Sequence, residues 1–490
     1  YGETLSWVSN GNPKNIKGLP AGEYILRETA APDGYTIAKD IEFTITDELK
    51  VAETITMEDA PTEVIISKTD ITTGEELPGA TLQIRNELGN EVVTTIYGER
   101  LEWVSGREPK VIRGLPAGNY ILREISAPDG YTITTEDVEF TITNELKPAE
   151  TVVMENAPSE VTISKTDIRN IDEELPGATL QILDQNGDVV RTVYNERLEW
   201  ITTGEAKEIL GLRDGTYTLR EISAPAGFTV AEDVTFTVEH GHVVDTSADT
   251  VRMTNRASVV NISKTDITNS QELPGATLQI LDAEGTSVVT TIYGERLEWV
   301  SQETPKVIEG LPAGDYILRE ITAPDGYTVA EDVRFTIQAN LSVAQPAETI
   351  VMENAPTEIN VSKLDITNSQ EIEGAFLQIL NAATGEVAVT IYGETLSWVS
   401  NGIPKNIKGL PAGEYILRET AAPNGYAIAN EIAFTITDEL KTAETVTMED
   451  APTEVVISKT DITTGEELPG ATLQVLNEQG TEIVTTIYGE

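Results

Sequence analysis

A lysine in the segment Ser-Lys-Xaa-Asp returns at Lys68, Lys165, Lys264, Lys363 and Lys459, at intervals of 97, 99, 99 and 96 residues. A period of that size is a whole domain, not the roughly 20–50-residue unit of a solenoid. The chain must therefore fold as a tandem array. A longer period of 391 residues relates Asp59 to Asp450 and Lys68 to Lys459, so a block of four domains is itself repeated. Tyr1 to Trp7 likewise returns as Tyr392 to Trp398, and the last residues, Tyr488-Gly489-Glu490, stop in the same phase. This reads as a window cut from a longer array. The expected domains are a partial repeat at 1–60, four complete repeats at 61–157, 158–256, 257–355 and 356–451, and a second partial repeat at 452–490.

Within one period, short alternating apolar stretches predict seven strands, near 62–68, 80–86, 91–96, 101–104, 119–125, 138–143 and 150–156. No helical period lies between them. Leu115-Pro116-Ala117-Gly118 and Pro128-Asp129-Gly130 supply the turns, through proline's fixed φ and glycine's permissive one. This pattern predicts an all-β chain of antiparallel β-sandwich domains. Each period has one tryptophan (Trp7, Trp103, Trp200, Trp299, Trp398), which in Leu101-Glu102-Trp103 shares a face with leucine and reads as a packing residue. The domains meet through short stretches such as Asn156-Ala157-Pro158-Ser159-Glu160, with no Gly/Ser-rich linker. A stiff, extended rod is expected.

Side chains alternate between the two faces of a strand, and this places charged groups where they are costly. In the third repeat Val161, Ile163 and Lys165 share one face; so do Tyr217, Leu219 and Glu221, and so do Val251, Met253 and Asn255. A lysine, a glutamate and an amide thus point into one core. The same three positions recur as Lys68, Glu124 and Asn156, as Lys264, Glu320 and Asn354, and as Lys363, Glu419 and Asp450. Lysine to glutamate is 56 residues in all four sets, and glutamate to Asn or Asp is 31 to 34. Glu28 with Asp59 lacks a preceding lysine, and Lys459 lacks a following glutamate and acceptor; these are half-sites.

Such a set is suited to forming an amide between side chains. Burial favours the neutral amine of lysine, which is a nucleophile, and the protonated form of a carboxyl group. The glutamate can polarise the Asn or Asp carbonyl and carry the proton to the leaving group, ammonia or water. Fixed geometry supplies the effective concentration. The competing reading of the same residues is a buried Lys–Glu ion pair beside a structural Asn.

Ile66-Ser67-Lys68-Thr69-Asp70, Leu77-Pro78-Gly79-Ala80, Glu124 followed by Ala127-Pro128-Asp129-Gly130-Tyr131, and Met154-Glu155-Asn156 together resemble the Cna B-type, or SpaA-like (prealbumin-like), domains of Gram-positive surface adhesins and pilins. The resemblance covers essentially the whole chain. It implies an intramolecular isopeptide bond between each lysine and its Asn or Asp, with Glu28, Glu124, Glu221, Glu320 and Glu419 at the catalytic position. It also implies an Ig-like, transthyretin-like sandwich and a location outside a Gram-positive type of cell, wall-attached or fibrillar. The third repeat departs from the pattern at Ala226-Gly227-Phe228 but keeps its three key residues.

The expected function is a structural stalk whose partners are neighbouring repeats, with ligand-binding adhesin repeats, which would meet host molecules, or a self-polymerising pilin-like subunit, which would meet other copies of itself, as alternatives. A formal net charge of −49, from 33 basic and 82 acidic residues, argues against nucleic acid or an anionic membrane as partner. Cysteine is absent, so no disulfide braces the domains. No run is long enough to span a membrane as a helix. His240-Gly241-His242 occurs once and reads as a solvated turn, and Asp70 with Glu75 or Glu76 lacks the spacing of a calcium loop. No metal, cofactor or turnover enzyme is expected.

Overall fold

The protein is described here by a computed structural model covering residues 4–48, 51–244, 246, 248–341, 347–439 and 443–489. Every helix or strand element among these residues is a strand. The chain divides into two compact units, Tyr1–Ser223 with Ala231–Asn255, and Ala224–Val230 with Arg256–Glu490. The first partial repeat contributes a hairpin, Gly22–Leu26 against Ile41–Ile45. The last contributes only isolated bridges such as Thr460 to Glu467.

The complete repeat after that hairpin has seven strands: Glu63–Asp70, Thr81–Asn86, Glu102–Val104, Lys110–Arg113, Gly118–Ser126, Val138–Ile142 and Glu150–Asn156. Two differ from expectation. Residues 91–96 make single bridges only, Arg85 to Val92 and Thr94 to Arg100, although their β-branched composition favours a strand. The seventh place goes instead to Lys110–Arg113, whose single fully buried side chain, Ile112, leaves almost no periodic signal.

The first strand, Glu63–Asp70, lies at the centre of a three-stranded sheet between Lys110–Arg113 and Glu150–Asn156. The second sheet runs in the order Glu102–Val104, Thr81–Asn86, Gly118–Ser126, Val138–Ile142. Val64, Ile66, Val152 and Met154 of the first sheet close on Leu82, Ile84, Tyr120, Leu122 and Ile142 of the second. Burying each large apolar side chain contributes about 1.5–3 kcal/mol. Trp103 sits half-buried on the flank of this core, with the Lys110 ammonium 5.4 Å from its ring centre. Tyr120 packs against Phe140 across the strand pair with the two rings tilted by 30°, and its hydroxyl donates to the Pro116 carbonyl at 2.8 Å.

Among the described residues, all strand pairs are antiparallel except that of the first and last strands, which is parallel in all four complete repeats. Lys68 lies opposite Met154, and Asp70 opposite Asn156. The chain therefore enters a repeat at one end of this pair and leaves it at the other. Tension along the chain would shear the two strands past each other, against their hydrogen bonds and anything that joins them.

Candidate functional site

The inward face of the sandwich carries the three polar residues of each repeat. Lys68, Glu124 and Asn156 expose 1%, 4% and 0% of their surface, and the other three sets are as deeply buried. Lysine comes from the first strand and the amide from its parallel neighbour, so alternation aims both across the core at the second sheet. The glutamate comes from the long strand Gly118–Ser126, where a register shift between Thr81 and Leu82 sets Leu82 opposite Glu124.

One carboxylate touches both partners. Glu124 Oε1 is 3.6 Å from the Lys68 Nζ, while Oε2 accepts from the Asn156 Nδ2 at 2.9 Å. In the third repeat Glu221 is 3.2 Å from Lys165 and accepts from Asn255 at 2.8 Å. In the fourth, Glu320 is 3.6 Å from Lys264 and accepts from Asn354 at 3.0 and 3.1 Å. The fifth has Glu419 3.3 Å from Lys363, with Lys363 also in direct contact with the Asp450 carboxylate. Glutamate therefore meets the amide nitrogen, the atom that would leave, and not the carbonyl oxygen. Asn156 Oδ1 and Asn354 Oδ1 are buried without a hydrogen-bond partner among the described residues.

A backbone N–H ten residues beyond each glutamate holds the carboxylate still: Thr134 at 2.7 Å, Ala231 at 2.6 Å, Ala330 at 2.6 Å and Ala429 at 2.7 Å. The Asn156 and Asn354 amides also donate to the Thr132 and Thr328 carbonyls. These backbone partners carry no side-chain signature, so no motif search would find them.

Burial pulls the Lys68 and Lys264 amines down to about 8, against the opposing charges of Glu124 and Glu320. Lys165 is lowered for the same reason. Burial pushes the Glu419 carboxyl up, and the nearby Asp450 adds to this against the pull of the Ala429 N–H and Lys363.

A second glutamate stands behind each lysine. Glu76 accepts from the Ser67 hydroxyl and the Lys68 backbone N–H, and Glu174, Glu272 and Glu371 do the same in their repeats. Glu76 thus braces the lysine strand. Among the described residues no three His, Asp or Glu side chains are grouped to hold a metal ion. His240 and Gly241, both at positive φ, turn the chain between Val234–Glu239 and His242–Val243. The His242 Nδ1 lies 3.0 Å from Asp249.

The half-sites are partly built. Glu28 keeps its backbone partner, the Ala38 N–H at 2.7 Å, and burial followed by the charge of Glu28 raises the Asp59 carboxyl. Lys459 is exposed.

The sequence model of the SpaA prealbumin-like fold domain matches residues 3–61, 62–158, 159–252, 258–350 and 357–452. No curated protein matches the chain. Among solved structures, the Bacillus anthracis TIE protein is 20% identical over 80% of this chain and 75% of its own, with a TM-score of 0.38. The BcpA major pilin subunit of Bacillus cereus is 15% identical over 80% of this chain and 99% of its own, at 0.21. A shaft pilin, SpaA of Lactobacillus rhamnosus GG, is 15% identical over 41% of this chain and 99% of its own, at 0.21.

Proposed function

This chain belongs to the SpaA prealbumin-like fold domain family, and from that premise we propose that it is the structural stalk of a bacterial cell-surface protein or fibre. Each complete repeat is stapled by an isopeptide bond that it makes itself: Lys68 to Asn156, Lys165 to Asn255, Lys264 to Asn354 and Lys363 to Asp450. The observation that carries this reading is a single buried carboxylate touching the amine on one side and, in three repeats, the leaving amide nitrogen on the other.

The step balances within the repeat. The neutral lysine Nζ attacks the side-chain carbonyl carbon, a new C–N bond forms, and the bond to Nδ2 breaks. The amine's proton passes to the glutamate and from it to the departing nitrogen, which leaves as ammonia. With Asp450 the leaving group is water. The product is a neutral amide where an ion pair had to be kept in a core, so the reaction relieves a desolvation cost. It runs once per repeat, and the chain is not a turnover enzyme.

The staple joins two adjacent parallel strands through which the chain enters and leaves the repeat. Tension would pass along a covalent path, and the sheets would not unzip. Its first partners are thus the neighbouring repeats, and as a surface stalk it would work outside the cell. Tryptic mapping of a Glu221→Ala chain tests the assignment: the Lys165–Asn255 cross-linked peptide should vanish while the other three persist. Its survival would remove the glutamate from the reaction.

A further inference from the structure

Two residues beyond the lysine, on the same strand, stands an aspartate that the staple does not use. Asp70, Asp266 and Asp365 expose only 3%, 2% and 1% of their surface, so each carboxylate needs partners where it is. Asp70 Oδ2 accepts from the Tyr131 hydroxyl of its own repeat at 2.9 Å and from the Tyr194 hydroxyl of the following repeat at 2.8 Å. Its Oδ1 accepts from the Thr72 N–H at 2.7 Å. Asp266 receives Tyr327 at 2.8 Å and, from the following repeat, Tyr392 at 3.4 Å. Asp365 receives Tyr426 and Tyr488, both at 2.8 Å. Burial pushes these carboxyls up, but the hydrogen bonds outweigh it and hold all three below the usual range, Asp365 at about 2.

Backbone contacts surround the cluster. The Ser159 N–H donates to the Gly130 carbonyl at 2.9 Å, its hydroxyl to the Leu212 carbonyl at 2.6 Å, and the Gly211 N–H to the Ser159 carbonyl at 2.8 Å. Thr357 repeats this with Gly326, Leu410 and Gly409. Gly130 has φ +90°, and a Cβ there would come within 2.6 Å of Val193 of the next repeat; at Gly326 it would come within 2.5 Å of Ile391. The turn that carries Tyr131 therefore lies flush against the next repeat's loop.

We propose that this aspartate and its own repeat's tyrosine form a docking site for the loop tyrosine of the following repeat, so that adjacent repeats are seated in one pose and load passes directly from staple to staple. The site selects its partner by chemistry: a buried anion already holding one phenol has room and need for a second hydroxyl, which phenylalanine cannot supply. As an account of load transfer the proposal rests on the stapled-stalk reading, but the docking site is independent of it.

The test is hydrogen exchange on the full chain carrying Tyr194→Phe, which removes one oxygen and leaves the ring. Losing a hydrogen bond to a charged group should speed exchange of the Ser159, Gly211 and Val193 amides roughly tenfold or more, with the Leu180 and Leu219 amides in the same repeat's core unchanged. Tyr392→Phe, whose bond is longer, should give a smaller effect at Thr357, Gly409 and Ile391. Equal rates in parent and Tyr194→Phe would overturn the docking site. So would acceleration spread through the whole repeat, which would mean that the hydroxyl serves only its own fold. Intact mass measured on the same samples separates the two readings: junction amides that respond in a chain without cross-links would uphold docking and reject the staple.

Discussion

Replacing Glu320 by alanine should leave the fourth sandwich folded but unstapled. Lys264 and Asn354 are 90 residues apart (354−264), and a cross-link closing a loop of that length removes about 4–5 kcal/mol of chain entropy from the unfolded state. A repeat of roughly 100 residues unfolds with about 0.2 kcal/mol/K of entropy, so its melting should fall by about 20–25 °C. Scanning calorimetry of the full chain should show one repeat melting early while the other three keep their transition. Asn354→Ala should do much the same, because it removes the acceptor of the same bond. The double variant decides the cause: if the lost bond is the shared consequence, its effect is close to that of either single change and not their sum. Additive shifts, or a Glu320→Ala repeat that melts with the rest, would refute the reasoning.

The acceptor should tolerate exchange at one position: Asp450→Asn keeps its bond and sheds ammonia in place of water, while Asp450→Ala loses that bond alone, as cross-linked peptides will report. Asn156→Ala leaves Lys68 a buried amine that desolvation holds down from its ordinary 10.5 to about 8. In that window the unfolded state binds the extra proton, so the variant's repeat should gain stability as pH rises from about 8 to 10.5 and carry the full penalty below 8. Denaturant unfolding at stepped pH, compared with the parent, should show the gap between them narrowing upward; a gap that widens would reverse the sign. Tyr316→Phe removes the hydroxyl that donates to the Pro312 carbonyl at 2.9 Å and should cost its repeat about 1 kcal/mol, read as a small fall in that repeat's melting with its bond intact.

The faces of the key strands were legible because alternation is a strict rule: Val161, Ile163 and Lys165 could point only one way together. Their depth follows from the same pattern, and the structure buries all three members of each complete set. The parallel pairing of first and last strands was not legible, since alternation says nothing about which neighbour a strand takes. Lys110–Arg113 escaped because one buried isoleucine makes no period, and residues 91–96 misled because composition favours a strand where the ladder does not form. The role of Glu76 was not legible either: its carboxylate accepts from the Ser67 hydroxyl and the Lys68 N–H, nine and eight residues back, a contact that only the folded turn creates. Asp70 meets tyrosines 61 and 124 residues away, a distance at which only the folded chain connects them.

The intact mass of the denatured 490-residue chain tests the central claim most directly. Three asparagine acceptors and one aspartate acceptor predict a chain lighter than its sequence by three ammonias and one water. A mass equal to that of the unmodified sequence would contradict the stapled stalk and leave four buried ion pairs in its place.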